Sequence, residues 1–297
     1  MSAAVGGPPA LRSLLFVPGH RDQWVPKAVA AGADGILLDL QDAVPDGEKA
    51  RAREVVAATV GALEHPVLVR VGPVGTPEHG ADLDAAVRPG LTGVVVPLVR
   101  GPDDIRAVAA DVTELEHERG IPVGATAIMP LVETARAARF AFELATASDR
   151  VAYMGGGTAP EGDIAHDLGF RWTPAGMETL FLRSWVLLNV RAAGVPCPLT
   201  GIWTAVDDLG GLRAFAEQSR DLGYSGMMAV HPAHVAVINE VFTPSADDLA
   251  RWESTIAALE GGPGASRLRG MMVDAAHGRT ARDALAAAAR LGKGGRT

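Results

Sequence analysis

Six polar side chains share one placement in the sequence: Arg70, Asp39, Asp42, Glu133, Asp163 and His231 each stand in, at or just past the end of a short apolar run. Glu133 closes "AIMPLV", and Asp163 follows "VAYMGGG" through the loop "GGGTAPEGDIAHDLG". Two carboxylates delivered by successive runs suit a hard divalent cation such as Mg2+, which takes one or two carboxylates and completes its shell with water and substrate oxygens. Each also has a purely local use, because Glu133 or Thr134 can cap the helical segment "ARAARFAFELA" and Asp163 can cap "IAHDLG". The loop glycines fit a phosphate cradle, a close approach to a metal, or a simple turn, and Glu161 competes with Asp163 as its acidic residue.

Arg70, inside "VLVRVG", is costly to bury without an anion, and that anion is either a neighbouring acid or a substrate carboxylate. Asp39 and Asp42 flank "LQ" ahead of "VPDGEK", where turn chemistry and site chemistry are equally served. His231, in "AVHPAH", reads first as a hydrogen-bonded core histidine: no second histidine stands at metal-ligand spacing. No G-x-S-x-G follows any apolar run, so a nucleophile-elbow hydrolase is excluded.

The apolar runs that position these groups begin at 13, 35, 66, 93, 124, 151, 195 and 226, and most are continuously apolar rather than alternating. That is the pattern of parallel strands buried on both faces. Between them lie alanine-rich helical stretches, such as "KARAREVVAATVGALEH" and "PDDIRAVAADVTELEHERG"; in the second, Pro102, Asp103 and Asp104 make a favourable helix start. Eight strands alternating with helices predict an α/β fold, a (β/α)8 TIM barrel over residues 1–240. A doubly wound sheet is the competitor, disfavoured because no glycine fingerprint follows the first strand. Residues 241–297 read as a helical extension that packs on the barrel or reaches toward another subunit, ending in a frayed "GKGGRT".

Composition narrows the function. Of 297 residues, 27 are Lys or Arg against 35 Asp or Glu, a net charge of -8 that recommends neither nucleic acid nor an anionic membrane. No apolar stretch has the length of a membrane span, no secretory pattern opens the chain, and the single cysteine, Cys197, fits a small buried residue in a reducing compartment. The expectation is a cytoplasmic protein that handles small molecules.

Seven blocks, in order, carry a family resemblance: "RSLLFVPGHR", "LLDLQDAVPDGEKARAR", "VRVG", "PLVETARAA", "GDIAHDLG", "MMAVHPAHVAVINEVFTPS" and "GMMVDAAHGRTARDALA". Together they resemble the citrate lyase beta-subunit-like branch of the HpcH/HpaI aldolase superfamily across about residues 11–290. The resemblance implies a (β/α)8 barrel that assembles as a homotrimer or a dimer of trimers and works on acyl-CoA thioesters with Mg2+. It implies that Glu133 and Asp163 hold the metal, with Asp163 preferred to Glu161, and that Arg70 contacts the substrate's thioester or carboxylate. Asp39 and Asp42 join the catalytic set, and Phe16, Arg21 and Lys27 bind CoA. Asp274 matches a family aspartate presented to a neighbouring subunit's site. This chain departs from the family at Gln41, which replaces a glutamate; at Leu98 and Met227, where lysines are usual; at Gly72 for an asparagine; and at His20. These departures point to a divergent substrate.

The function implied is a Mg2+-dependent carbon–carbon lyase cleaving or forming a 3-hydroxyacyl-CoA such as citramalyl-, malyl- or citryl-CoA. The alternatives are a hydroxyacyl-CoA thioesterase on the same scaffold, an aldolase for a free 2-keto acid, and a non-catalytic acyl-CoA-binding subunit.

Overall fold

The computed structural model describes residues 7–156, 158–159, 161–260, 265–268 and 270–293. Eight parallel strands, β1 (Ser13–Pro18), β2 (Gly35–Asp39), β3 (Val67–Arg70), β4 (Gly93–Val96), β5 (Ala127–Val132), β6 (Tyr153–Gly156), β7 (Cys197–Thr200) and β8 (Gly226–Ala229), close into a barrel in sequence order. Around it run α1 (Val25–Ala30), α2 (Lys49–Ala62), α3 (Pro77–Ala86), α4 (Pro102–Glu118), α5 (Ala135–Arg139), α6 (Ala141–Ala145), α7 (Asp163–Leu168), α8 (Met177–Ala192), α9 (Leu209–Leu222) and α10 (Pro232–Phe242). The expected (β/α)8 architecture is therefore the one observed.

The apolar runs are continuous because each strand is buried on both faces. Leu15, Ile36, Leu38, Val69 and Val94 pack outward beneath the helices, while Leu14, Leu37, Leu68, Met129, Leu131, Tyr153, Leu199 and Met228 fill the interior. Side chains alternate with period two, so the residue two places beyond an inward one also points inward, one layer nearer the mouth. That rule carries Leu14 to Phe16, Leu37 to Asp39, Leu68 to Arg70 and Leu131 to Glu133. At the opposite end Cys197 is buried, and burial pushes its thiol up to about 11, as befits an inert core residue.

Loop chemistry separates capping from site duties. The Thr134 hydroxyl accepts from the Ala137 N–H at 3.0 Å and caps α5, which leaves Glu133 free. Gly162 occupies the cap position of α7, so Asp163 opens that helix without a capping bond of its own.

After α10 the chain forms α11 (Ala246–Glu260), a two-stranded antiparallel hairpin of β9 (Ala265–Leu268) and β10 (Met271–Asp274), and α12 (Ala275–Lys293), which packs on α11. The hairpin corrects the expectation of an all-helical extension. Its two four-residue strands are too short to display a period, and Gly270, at φ 83°, supplies the left-handed turn between them. The end of the expected frayed tail, 294–297, lies outside the described residues. Among the described residues no helix is long and apolar enough to cross a membrane.

Candidate active site at the barrel mouth

Asp39 and Arg70 are Cα partners across β2 and β3, and both point inward. Arg70 donates from Nε to Asp39 Oδ1 at 2.7 Å and from Nη2 to Oδ2 at 2.8 Å. Asp39 also accepts the backbone N–H groups of Gln41 and Ala43, each at 3.0 Å, so one carboxylate shapes the turn and clamps the arginine together. The guanidinium lies 5.0 Å from the centre of the Phe16 ring. Burial works against its charge, but Asp39, Glu133 and Asp42 outweigh that, and Arg70 is held above its ordinary value. The anion left open by the sequence is thus a protein acid. Arg70 Nη1 keeps no protein partner among the described residues.

Glu133 is half-buried just past the end of β5, where Oε2 accepts the Leu98 N–H at 3.1 Å. Burial raises its carboxyl to about 7; Arg70 and the Leu98 amide pull it down, while Asp163 and Asp42 push it up. Asp42 is likewise raised, by partial burial and by Asp39 and Asp163, against the pull of Arg70 and Lys49. Glu133, Asp163 and Asp42 therefore share one electrostatic neighbourhood facing Arg70. Like-charged carboxylates gathered at one mouth, Glu133 half-buried and Asp42 and Asp163 exposed, form a donor set that a hard divalent cation fits. Among the described residues no three of His, Cys, Asp or Glu form a ready metal-holding group, so such a cation would rely on oxygens from water or substrate. Glu161 faces elsewhere: it lines a separate groove with Phe170, Arg171 and Trp172.

A cavity of about 690 Å3 opens beside Arg70, on the β8, β1 and β2 side of the mouth. Phe16, Trp24, Ile202, Val230 and Pro232 give it apolar walls, and Lys27, Asp42 and His231 add polar groups. Arg21 is exposed and stacks 5.8 Å from the Trp24 ring rather than lining the cavity. His231, read as a core histidine, is instead exposed at the cavity edge and caps α10. Asp274 is not gathered with these groups. It ends β10 with Oδ1 2.8 Å from His277 Nδ1, outside the cavity lining.

The departures from the family pattern have distinct positions. Leu98 adopts φ 48°, a strained conformation for a leucine, and from it aims its N–H at Glu133. Met227 packs in the outer layer beneath the helices, away from the mouth. Gln41 and His20 are buried at the tips of adjacent strands, and Lys49 Nζ binds the carbonyl oxygens of Leu40 and Gln41 at 2.6 and 2.5 Å. The Leu98 amide and the Trp24, Ile202 and Val230 walls escaped the sequence reading: a backbone donor has no side-chain signature, and apolar wall residues look like any other core.

A closed parallel barrel whose mouth joins several carboxylates, a clamped arginine and an apolar cavity defines an α/β-barrel enzyme. Comparison with known proteins places it further: residues 12–232 match the family described as HpcH/HpaI aldolase/citrate lyase, and the chain belongs to that family. It is 36% identical to the citrate lyase subunit beta-like protein of Deinococcus radiodurans, over 91% of this chain and 95% of the relative. It is 34% identical to a (3S)-malyl-CoA thioesterase of Cereibacter sphaeroides, over 93% of this chain and 94% of that one. Among solved structures, CitE from Mycobacterium tuberculosis in complex with magnesium, acetoacetate and coenzyme A superposes with a TM-score of 0.73 at 29% identity, covering 96% of this chain and 99% of that chain.

Proposed function

We propose that this protein is a Mg2+-dependent acyl-CoA lyase that cleaves or forms the C–C bond of a 3-hydroxyacyl-CoA of the citramalyl-, malyl- or citryl-CoA type. The observation that carries this reading is the Glu133 carboxylate at the end of β5, held by the Leu98 N–H and sharing one electrostatic neighbourhood with Asp163 and Arg70. Glu133 and Asp163 would hold the metal, in keeping with the magnesium and coenzyme A bound by the similar CitE. Bound there, Mg2+ supplies Lewis-acid polarisation and orientation of substrate hydroxyl and carboxylate oxygens.

The protein residues do the rest. A base removes the proton of the 3-hydroxyl, the bond between C2 and C3 breaks, and its electron pair moves to the thioester as an enolate, leaving a keto acid; return of a proton to C2 of the enolate gives the shorter acyl-CoA. Arg70, held charged and oriented by Asp39, turns Nη1 toward the developing negative charge. Phe16, Trp24 and Ile202 exclude water beside the thioester, and Lys27 and Arg21 at the outer edge receive the phosphates of CoA. Asp42, poised among carboxylates, sits within the proton-handling set. Asp274 moves a proton at a neighbouring subunit's site; its distance from its own chain's mouth groups supports this, as does the exposure of Met271 and Met272 on the hairpin that carries it. A homotrimer or hexamer follows, in the cytoplasm.

A thioesterase on the same scaffold is the second reading, favoured by the (3S)-malyl-CoA thioesterase relatives. Incubating purified protein and Mg2+ with a panel of hydroxyacyl-CoAs, with EDTA controls, separates the two by mass. A lyase yields a shorter acyl-CoA and a keto acid, whereas a thioesterase yields free CoA and the intact hydroxy acid.

A further inference from the structure

His231 is committed to one tautomer by the fold. It follows β8 in extended conformation and caps α10, its Nδ1 accepting the Ala233 N–H at 3.2 Å. A nitrogen that accepts a hydrogen bond carries no proton, so the proton of the neutral ring resides on Nε2. The ring is steadied from one side by His234, buried and packed edge-on with centroids 6.0 Å apart; His234 Nε2 lies 3.2 Å from the Val206 carbonyl oxygen. Among the described residues nothing hydrogen-bonds His231 Nε2, and the side chain lines the apolar cavity with Phe16, Trp24 and Ile202. A fixed donor is therefore presented at the exposed edge of an apolar wall.

Its position around the barrel says what it would meet. Glu133 ends β5, which lies across the closed barrel from β1, while β8 is the neighbour of β1 on the cavity side. Arg70 and His231 both line the cavity, so a substrate whose oxygens lie at Glu133 and Asp163 and whose thioester chain runs into the cavity can bring its carbonyl within reach of both. Arg70 has one free edge there, since Nε and Nη2 are spent on Asp39. Stabilising an oxyanion ordinarily takes preorganised donors from more than one group. Resting on the acyl-CoA reading above, we propose that His231 is a catalytic residue whose Nε2–H donates a hydrogen bond to the thioester carbonyl oxygen as negative charge accumulates on it. The proton stays on Nε2 throughout, so the same role serves C–C cleavage and thioester hydrolysis.

Two substitutions divide the ring's two functions. In His231→Asn the amide oxygen replaces Nδ1 as the helix cap, but the side chain is too short to present a donor in the cavity. In His231→Gln the terminal amide stands near the place of Nε2 and restores the donor. The expected result is a His231→Asn enzyme with unchanged Tm and Mg2+ affinity, KM within about threefold, and kcat lowered about 10²-fold. His231→Gln should recover most of the loss. Wild-type kcat in His231→Asn, or a loss confined to KM, would overturn the role. A second readout is independent of turnover: acetyl-CoA labelled with 13C at its carbonyl carbon should show a lower C=O stretching frequency when bound to wild type than when bound to His231→Asn. If wild type cleaves no acyl-CoA but the His231-dependent shift is present, the lyase reading fails and the donor assignment stands. An unshifted carbonyl in wild type overturns the donor assignment itself.

Discussion

Asp39 and Arg70 stand in register on neighbouring strands and share two hydrogen bonds of 2.7 and 2.8 Å at the bottom of the mouth. The same Asp39 carboxylate accepts two backbone N–H groups of its own turn, so the arginine is aimed by a group that is itself held in place. Asp39→Ala leaves Arg70 nearly buried without its counter-charge, a change that costs about 3–5 kcal/mol. We expect a lowered Tm together with loss of activity. Arg70→Lys keeps the charge but not the fork, and kcat/KM should fall about 10²-fold with little change in Tm. Thermal melts run beside steady-state kinetics check both.

Metal affinity distinguishes Asp163 from Glu161. Asp163 shares a neighbourhood with Glu133, whereas Glu161 lines the groove beside Trp172. Calorimetric Mg2+ titrations should show at least about 100-fold weaker binding in Glu133→Gln and in Asp163→Asn, and a change within about twofold in Glu161→Gln. Weak binding in Glu161→Gln with normal binding in Asp163→Asn would exchange the two assignments.

If Asp274 serves the site of a neighbouring subunit, two inactive variants should complement each other. Glu133→Gln and Asp274→Ala chains unfolded together and reassembled in equal amounts should regain activity in about a quarter of the sites, those pairing an intact Glu133 with an intact Asp274 from the next chain. Activity no higher than the sum of the separate variants would place Asp274 outside a shared site.

Glu116 and Arg150 form a buried pair at the opposite end of the barrel from the site, with Glu116 Oε2 2.6 Å from Arg150 Nη2. Burial pushes the Glu116 carboxyl up, but Arg150 and the amides of Thr126 and Gly124 outweigh it, leaving it below the ordinary carboxylate range. A carboxyl whose folded pKa is depressed adds stability that is fully present above the unfolded value, about 4.3, and is lost as the pH falls through the folded value. Glu116→Gln should therefore cost about 3–5 kcal/mol at pH 7, and the gap from wild type should narrow below about pH 4. Denaturant melts at the two pH values measure it.

Much of the scaffold was legible in the sequence because parallel strands buried on both faces leave continuous apolar runs, and eight of them close a barrel. The polar groups at the run ends were legible for the same reason: Asp39, Arg70 and Glu133 lie two residues beyond Leu37, Leu68 and Leu131, which point inward. The partner of Arg70 was not, since a sequence alone does not fix which strands are neighbours in register. The hairpin at 265–274 was read as helix because its strands are shorter than the window any periodicity needs. Leu98 drew notice for its side chain, whereas its contribution is a backbone N–H delivered from φ 48°. His231 looked like a core histidine because capping α10 and lining a cavity leave the same local pattern.

The most direct test is to follow the carbon skeleton. A 3-hydroxyacyl-CoA of the malyl type, labelled with 13C in its acyl chain and incubated with the protein and Mg2+, should give a labelled keto acid and a shorter labelled acyl-CoA in equal amounts. Both products should vanish in EDTA and in Glu133→Gln. Cleavage that persists undiminished without metal, or label recovered only as intact hydroxy acid beside free CoA, would contradict metal-assisted C–C cleavage at this site.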